Sequence, residues 1–125
     1  MTDLKIKGSN SKPNVDFSVN TGVLSIKGKS ILEFAEIVFD QMNEWLEEYS
    51  KIIINKKITI EIALEYFNSS TAKALIRFLF LAKELISENN LFVNYFYDDE
   101  NILDYGHDFA DVTEINFNFI EKKYH

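Results

Sequence analysis

No cysteine occurs anywhere in the 125 residues. The chain therefore has no disulfide framework, no thiolate nucleophile and no zinc–thiolate site, as suits a reducing cytoplasmic setting. Histidine is nearly as scarce, with only His107 and His125. His107 lies near Asp104 and Asp108, but these spacings build no Ser-His-Asp constellation, and neither histidine has a second His or Cys to complete a metal set. The four glycines, Gly8, Gly22, Gly28 and Gly106, are dispersed, so no glycine-rich loop cradles a phosphate. The longest apolar run, Phe78-Leu79-Phe80-Leu81-Ala82, is far too short to cross a bilayer. Met1-Thr2-Asp3-Leu4-Lys5 lacks the basic and apolar regions of a secretory signal. Basic residues are outnumbered, 13 against 20 acidic, for a net charge of −7. The nearest thing to a basic cluster is Lys56-Lys57, a turn before a strand. Nucleic acid and membrane are thus poor partners, and a basic protein surface is a better electrostatic match.

What is present is the material of a globular core. Hydrophobic residues make up 46% and charged residues 26%, which predicts one domain spanning 1–125. Gly8 to Asn14, with the only proline, Pro13, reads as a loop. Val15, Phe17 and Val19 alternate with polar residues as in a half-buried strand. Asn20-Thr21-Gly22 turns the chain into a second strand, Val23 to Lys27. Ser30 with Glu33 forms the pattern of a capping box for a helix over about 31–50, whose apolar stripe runs from Phe34 to Tyr49. Ile58, Ile60, Ile62, Leu64 and Tyr66 line one face of the longest strand. A second helix spans about Ala72 to Glu88, stopped by Asn89-Asn90. Leu91 to Tyr97 is an aromatic strand, Asp98 to Asn101 open a short helix, and Ile115, Phe117 and Phe119 mark a last strand. The order β-β-α-β-α-β-α-β implies an α/β fold with a mixed, mostly parallel sheet of about five strands and helices packed on it.

Two polar clusters stand out. Asn68-Ser69-Ser70-Thr71 sits where the central strand hands over to a helix. Such residues are the preferred helix caps. A phosphorylated hydroxyl there would also meet the positive end of the helix dipole and add a charge of about −1.5 to −2. Asp98-Asp99-Glu100 offers carboxylates of the type that bind Mg²⁺, or a cap and dipole partners for the next helix; the second reading leads. Tyr66, Tyr95 and Tyr97 are candidates for a surface that a partner covers, or for a second packed layer of the chain's own helices.

The stretches Leu4-Lys5-Ile6-Lys7-Gly8 with Pro13, Gly22 to Ser30, Leu64 to Lys73, Asn94 to Glu100, and Gly106 with Asp108-Phe109 together resemble the SiaC family of bacterial phosphoproteins, known from biofilm regulation. More distantly they resemble the STAS domains of anti-sigma-factor antagonists. The most specific stretch is Tyr66-Phe67-Asn68-Ser69-Ser70-Thr71. In such proteins an Asn-Thr-Ser-Ser stretch carries a regulatory phosphothreonine, and that position falls on Ser69. The resemblance implies a STAS-like fold and a dedicated kinase acting on Ser69. It also implies a PP2C-like phosphatase that reverses the modification, and an effector, a diguanylate cyclase, bound in the unphosphorylated state. It implies no catalytic residues, cofactor or metal.

The expected function is therefore a cytoplasmic, non-enzymatic partner switch. Asn68, Ser69, Ser70 and Thr71 would be its switch loop. Tyr66, Tyr97, Asp98, Asp99 and Glu100 would be further contacts. The alternatives are a STAS-type small-ligand module with a deep apolar pocket, and a small metal-dependent enzyme built on Asp98, Asp99, Glu100 and His107.

Overall fold

The computed structural model describes residues 1–123. Six strands form one sheet: β1 (Leu4–Ile6), β2 (Asn14–Phe17), β3 (Val23–Ser30), β4 (Ile58–Phe67), β5 (Leu91–Tyr97) and β6 (Phe117–Glu121). Three helices, α1 (Glu36–Ser50), α2 (Ser69–Leu85) and α3 (Glu100–Thr113), connect β3 to β4, β4 to β5 and β5 to β6. Spatial order equals chain order. The first three strands are antiparallel and β3 through β6 are parallel. The expected mixed, mostly parallel sheet is present, with one strand more than the alternation indicated. That extra strand, β1, is only three residues long, too short for Leu4 and Ile6 to register as a pattern.

Crossovers of one hand between sequential parallel strands place their helices on the same face. The contacts agree, since α1 packs on α2 and α2 on α3 in one layer. The sheet face beneath that layer carries Leu24, Ile26, Ile58, Ile60, Ile62 and Val93, all 0–1% exposed. The helices answer with Phe39, Met42, Leu46, Leu75, Phe78 and Leu79. The opposite face carries Asp16, Lys27, Thr59, Glu61, Asn94 and Asn118, and remains open to solvent.

The alternation along β4 does not survive to its end. Gly28 pairs with Leu64, but Lys29 pairs with Tyr66, so Glu65 is an extra, bulged residue. Gly28 has φ +97°, a region that side-chain-bearing residues rarely adopt. The bulge reverses the facing of the residues beyond it. Tyr66, which the period-two pattern placed with the buried isoleucines, turns to the solvent face and is 60% exposed. Phe67 turns inward against Tyr105 and Phe109, at centroid distances of 5.1 and 5.8 Å.

Helix boundaries also differ from expectation. α1 starts at Glu36 rather than near 31, and the Ser30–Glu33 capping box does not form. Ser30 is the last residue of β3, and its hydroxyl is buried among tertiary partners. α2 starts at Ser69 rather than Ala72, because Asn68 caps it. α3 runs for 14 residues, longer than its polar start indicated. Gly106 lets it settle onto β5, where a Cβ would overlap the ring of the buried Tyr95.

At the other end of the sheet, Tyr49 is buried and donates to the Val19 carbonyl at 2.7 Å. Burial, and secondarily the negative charge of Asp3, hold its phenol above the ordinary value.

Gly106→Ala should lower stability by about 1–3 kcal/mol through overpacking against a ring that has no room to move, read as a fall in the thermal midpoint. Tyr49 makes stability sensitive to alkali. Above about pH 10 its unfolded phenol ionises while the folded one resists. Unfolding then releases a proton, so stability is intact below that pH and falls as pH rises beyond it. Tyr49→Phe should flatten this alkaline slope in denaturant titrations, at a constant cost of about 1 kcal/mol for the lost hydrogen bond.

Candidate functional site

The four residues Asn68-Ser69-Ser70-Thr71 are not a loop. Asn68 is the extended N-cap of α2, and the next three form the helix's first turn. The Asn68 Oδ1 accepts from the Thr71 backbone N–H at 3.0 Å, a side-chain cap for an otherwise unpaired donor. Its Nδ2 donates to the Leu32 carbonyl at 2.9 Å. Thr71 is fully buried. Its Oγ1 donates to the Ser30 carbonyl at 2.9 Å and lies 2.6 Å from the Ser30 hydroxyl. Ser70 is half-buried, and its Oγ accepts from the Ala35 backbone N–H at 3.0 Å.

These bonds clasp the β3–α1 connection to the β4–α2 junction. Ser30, Leu32 and Ala35 stand on one side, with Asn68, Ser70 and Thr71 on the other. The start of α1 is closed by the backbone instead of a side-chain cap, with the Ile37 and Val38 N–H groups donating to the Phe34 and Ala35 carbonyls at 3.2 and 3.0 Å. Ala35 stands at its N-cap with no cap from its own side chain, while its N–H is satisfied from a different helix. Thr71 is therefore sealed and belongs to the core, a correction to its expected place on a partner surface. Only Ser69 of the three hydroxyl residues is exposed. Its hydroxyl has no hydrogen-bond partner among the described residues.

Ser69 opens onto a shallow cavity of about 330 Å³ between α2 and the start of α1. Lys73 and Arg77 continue the Ser69 wall, and Glu33, Phe34 and Glu36 form the facing wall. Phe34 is 55% exposed and Ile37, one turn further along, 66%. Large apolar side chains standing together at a surface mark a contact region more often than an isolated one does. Helical periodicity hides this patch, because Phe34 fits the buried stripe of a helix expected to start five residues earlier. The start of α1 at Glu36 puts Phe34 outside that helix.

On the other side of the junction, a groove of about 570 Å³ lies between the end of β4 and α3. Tyr66 and Tyr105 border it, together with the carboxylates of Asp99, Asp104 and Asp108. This is an acidic, half-open groove, unlike the deep apolar pocket that a small-ligand module would require. Asp99 caps α3, its Oδ1 accepting from the Ile102 N–H at 2.9 Å, and Glu100 lies in the first turn. Asp98 is half-exposed beside them. Among the described residues no three His, Cys, Asp or Glu side chains group as metal ligands.

Tyr97 is half-buried at the end of β5. Tyr95 is 1% exposed, and its hydroxyl donates to the Ile102 carbonyl at 2.7 Å, so it belongs to the core and not to a surface. His107 is exposed and lies against Phe119, with ring centroids 4.2 Å apart. His125 lies outside the described residues.

The profile of the SiaC family, described as regulatory phosphoproteins, matches residues 6–122. The chain belongs to the SiaC family. Apo-SiaC from Pseudomonas aeruginosa superposes with a TM-score of 0.84 at 26% identity, covering 98% of this chain and all of the other. A second structure of SiaC from that organism gives 0.82 at 25% identity, covering 98% of each chain. The fold is also that of SiaC in a crystal structure with diguanylate cyclase SiaD, whose activator it is (TM-score 0.85, 24% identity, 96% of this chain and all of the other). A curated relative, an uncharacterised protein of P. aeruginosa strain UCBPP-PA14, is 31% identical over 84 residues. The match spans 67% of this chain and 66% of that relative. No helix among the described residues is long and apolar enough to cross a membrane.

The division of labour within the motif is directly measurable. Thr71→Val should cost about 1–3 kcal/mol of stability, because it leaves the buried Ser30 hydroxyl without its partner. Ser69→Ala should stay within about 0.5 kcal/mol of the parent, as exposed substitutions generally do. Paired urea denaturation curves read both.

Proposed function

We propose that this SiaC-family chain is a non-enzymatic cytoplasmic switch that binds an effector while Ser69 is unphosphorylated and releases it when Ser69 is phosphorylated. The observation that carries this reading is the exposure of Ser69 beside two hydroxyl neighbours that are both hydrogen-bonded into the structure. A kinase needs a hydroxyl it can reach, and of these three Ser69 is the exposed one. The effector proposed is a diguanylate cyclase, by analogy with SiaC of P. aeruginosa and SiaD. A dedicated kinase and a PP2C-like phosphatase would set the state of Ser69.

The surface around Ser69 has the composition of a docking face. Phe34 and Ile37 supply apolar anchors. Tyr66, Tyr97, Asp98, Asp99 and Glu100 flank the junction on the α3 side and are proposed as secondary contacts. A phosphate at Ser69 brings about two negative charges and a hydrated group into the middle of this face. Like-charge repulsion and desolvation then oppose an interface that unmodified serine tolerates. No refolding is needed, because the clasp beneath Ser69 does not involve its hydroxyl.

The test is calorimetric titration of the full chain against the diguanylate cyclase of its own organism, with cyclic di-GMP formation followed in parallel. Ser69→Ala should bind and activate like the parent. Ser69→Asp should bind at least about tenfold more weakly, or about 1.4 kcal/mol. Equal binding by the two variants would refute the switch.

A further inference from the structure

The cavity at Ser69 has a charge pattern that the exposure of the hydroxyl does not require. Lys73 and Arg77 stand four and eight residues beyond Ser69 on α2, a spacing that keeps all three on one helix face. They line the same cavity as Ser69. Both are exposed, and neither makes a salt bridge or hydrogen bond among the described residues. Glu33 and Glu36 line the facing wall, yet no ion pair among the described residues closes the gap between the walls. Two cations and two carboxylates leave the cavity formally neutral, with its positive charge gathered on the wall that bears the hydroxyl.

We propose that Lys73 and Arg77 are the receptor for a phosphate on Ser69. Once the hydroxyl is phosphorylated, the phosphate oxygens lie beside the ammonium of Lys73, one turn away, and within reach of the Arg77 guanidinium. A guanidinium grips phosphate oxygens bidentately, and an ammonium binds them as a point charge. The phosphorylated state is then a defined conformation, with the phosphate folded down along α2 and not left swinging in solvent. Both cations are neutralised by the chain itself. The cavity as a whole passes from neutral to about −2, and any partner carboxylate that uses Lys73 and Arg77 in the unmodified state loses its counter-charge.

This proposal rests on Ser69 being the regulatory hydroxyl, but its test needs no effector. The full chain is made with phosphoserine encoded at position 69, and the phosphate is titrated by ³¹P NMR at low ionic strength. The charged groups facing the phosphate are Lys73 and Arg77 from α2, and Glu33 and Glu36 from the β3–α1 connection and the start of α1. The helix N-terminus contributes equally in every variant, so differences report the side chains.

Cations favour the dianion, so the second ionisation of the parent should lie below that of Lys73→Gln/Arg77→Gln by at least about half a unit, roughly a threefold change in dissociation constant. Glu33→Gln/Glu36→Gln should lower it further. All four positions are exposed, so none of these changes threatens folding. An unchanged titration in Lys73→Gln/Arg77→Gln would overturn the proposal, whatever Ser69 does to effector binding. A shifted titration supports it even where Ser69→Asp and Ser69→Ala bind the effector alike, an outcome that would sink the switch alone.

Discussion

The hydrogen bond between Ser30 and Thr71 is the point from which the rest of this end of the molecule is positioned. Two buried hydroxyls 2.6 Å apart join the end of one central strand to the helix that succeeds the next. In a low-dielectric interior such a pair is strong when complete and costly when broken. Its geometry leaves little choice to its neighbours. Thr71 must point inward, so Asn68, three residues earlier, is placed to cap the helix. Ser70 is turned toward the start of α1. Ser69, between a cap and a bridge, is left facing solvent on the remaining side. The exposure of one serine is thus the by-product of three interior bonds, and the hydroxyl proposed to change chemically is held by a framework that need not change with it.

The same clasp explains what could and could not be read from the residues in order. Strong periodicity identified the interior of β4, the stripe of α1 from Val38 to Tyr49 and the alternation of helix and strand, because these depend on neighbours one to four residues away. The roles of Ser69, Ser70 and Thr71 depend on Ala35, 35 residues away from Ser70, and on Ser30, 41 residues away from Thr71. No local pattern encodes such distances. Ser30 itself shows the limit well. With Glu33 it satisfies the sequence pattern of a capping box, yet a better partner across the fold draws its hydroxyl into the core, and β3 continues through it. Asp99 is the opposite case. Its cap was legible because donor and acceptor lie three residues apart.

The facing of the aromatics was legible only up to the bulge. A single extra residue, Glu65, turns Tyr66 out and Phe67 in, and no alternation rule anticipates where one strand will run a residue longer than its neighbour. The consequence for the site is direct. Tyr66 borders the acidic groove because of that insertion, while Phe67 anchors α3 through Tyr105 and Phe109. The two sides of the β4–α2 junction therefore differ in character, with Phe34 and charges of both signs toward α1 and carboxylates and tyrosines toward α3. A partner that spans the junction meets both.

Spatial order that repeats chain order has a consequence for biosynthesis. No strand must wait for a later one to be inserted between itself and a neighbour already in place. As the polypeptide leaves the ribosome, each new strand can add to a growing edge and each new helix can settle beside the last. Every member of the clasp lies between Ser30 and Thr71, so its hydrogen bonds require no residue of β5, α3 or β6. The bonds that leave Ser69 facing solvent are therefore complete without any residue that follows Thr71.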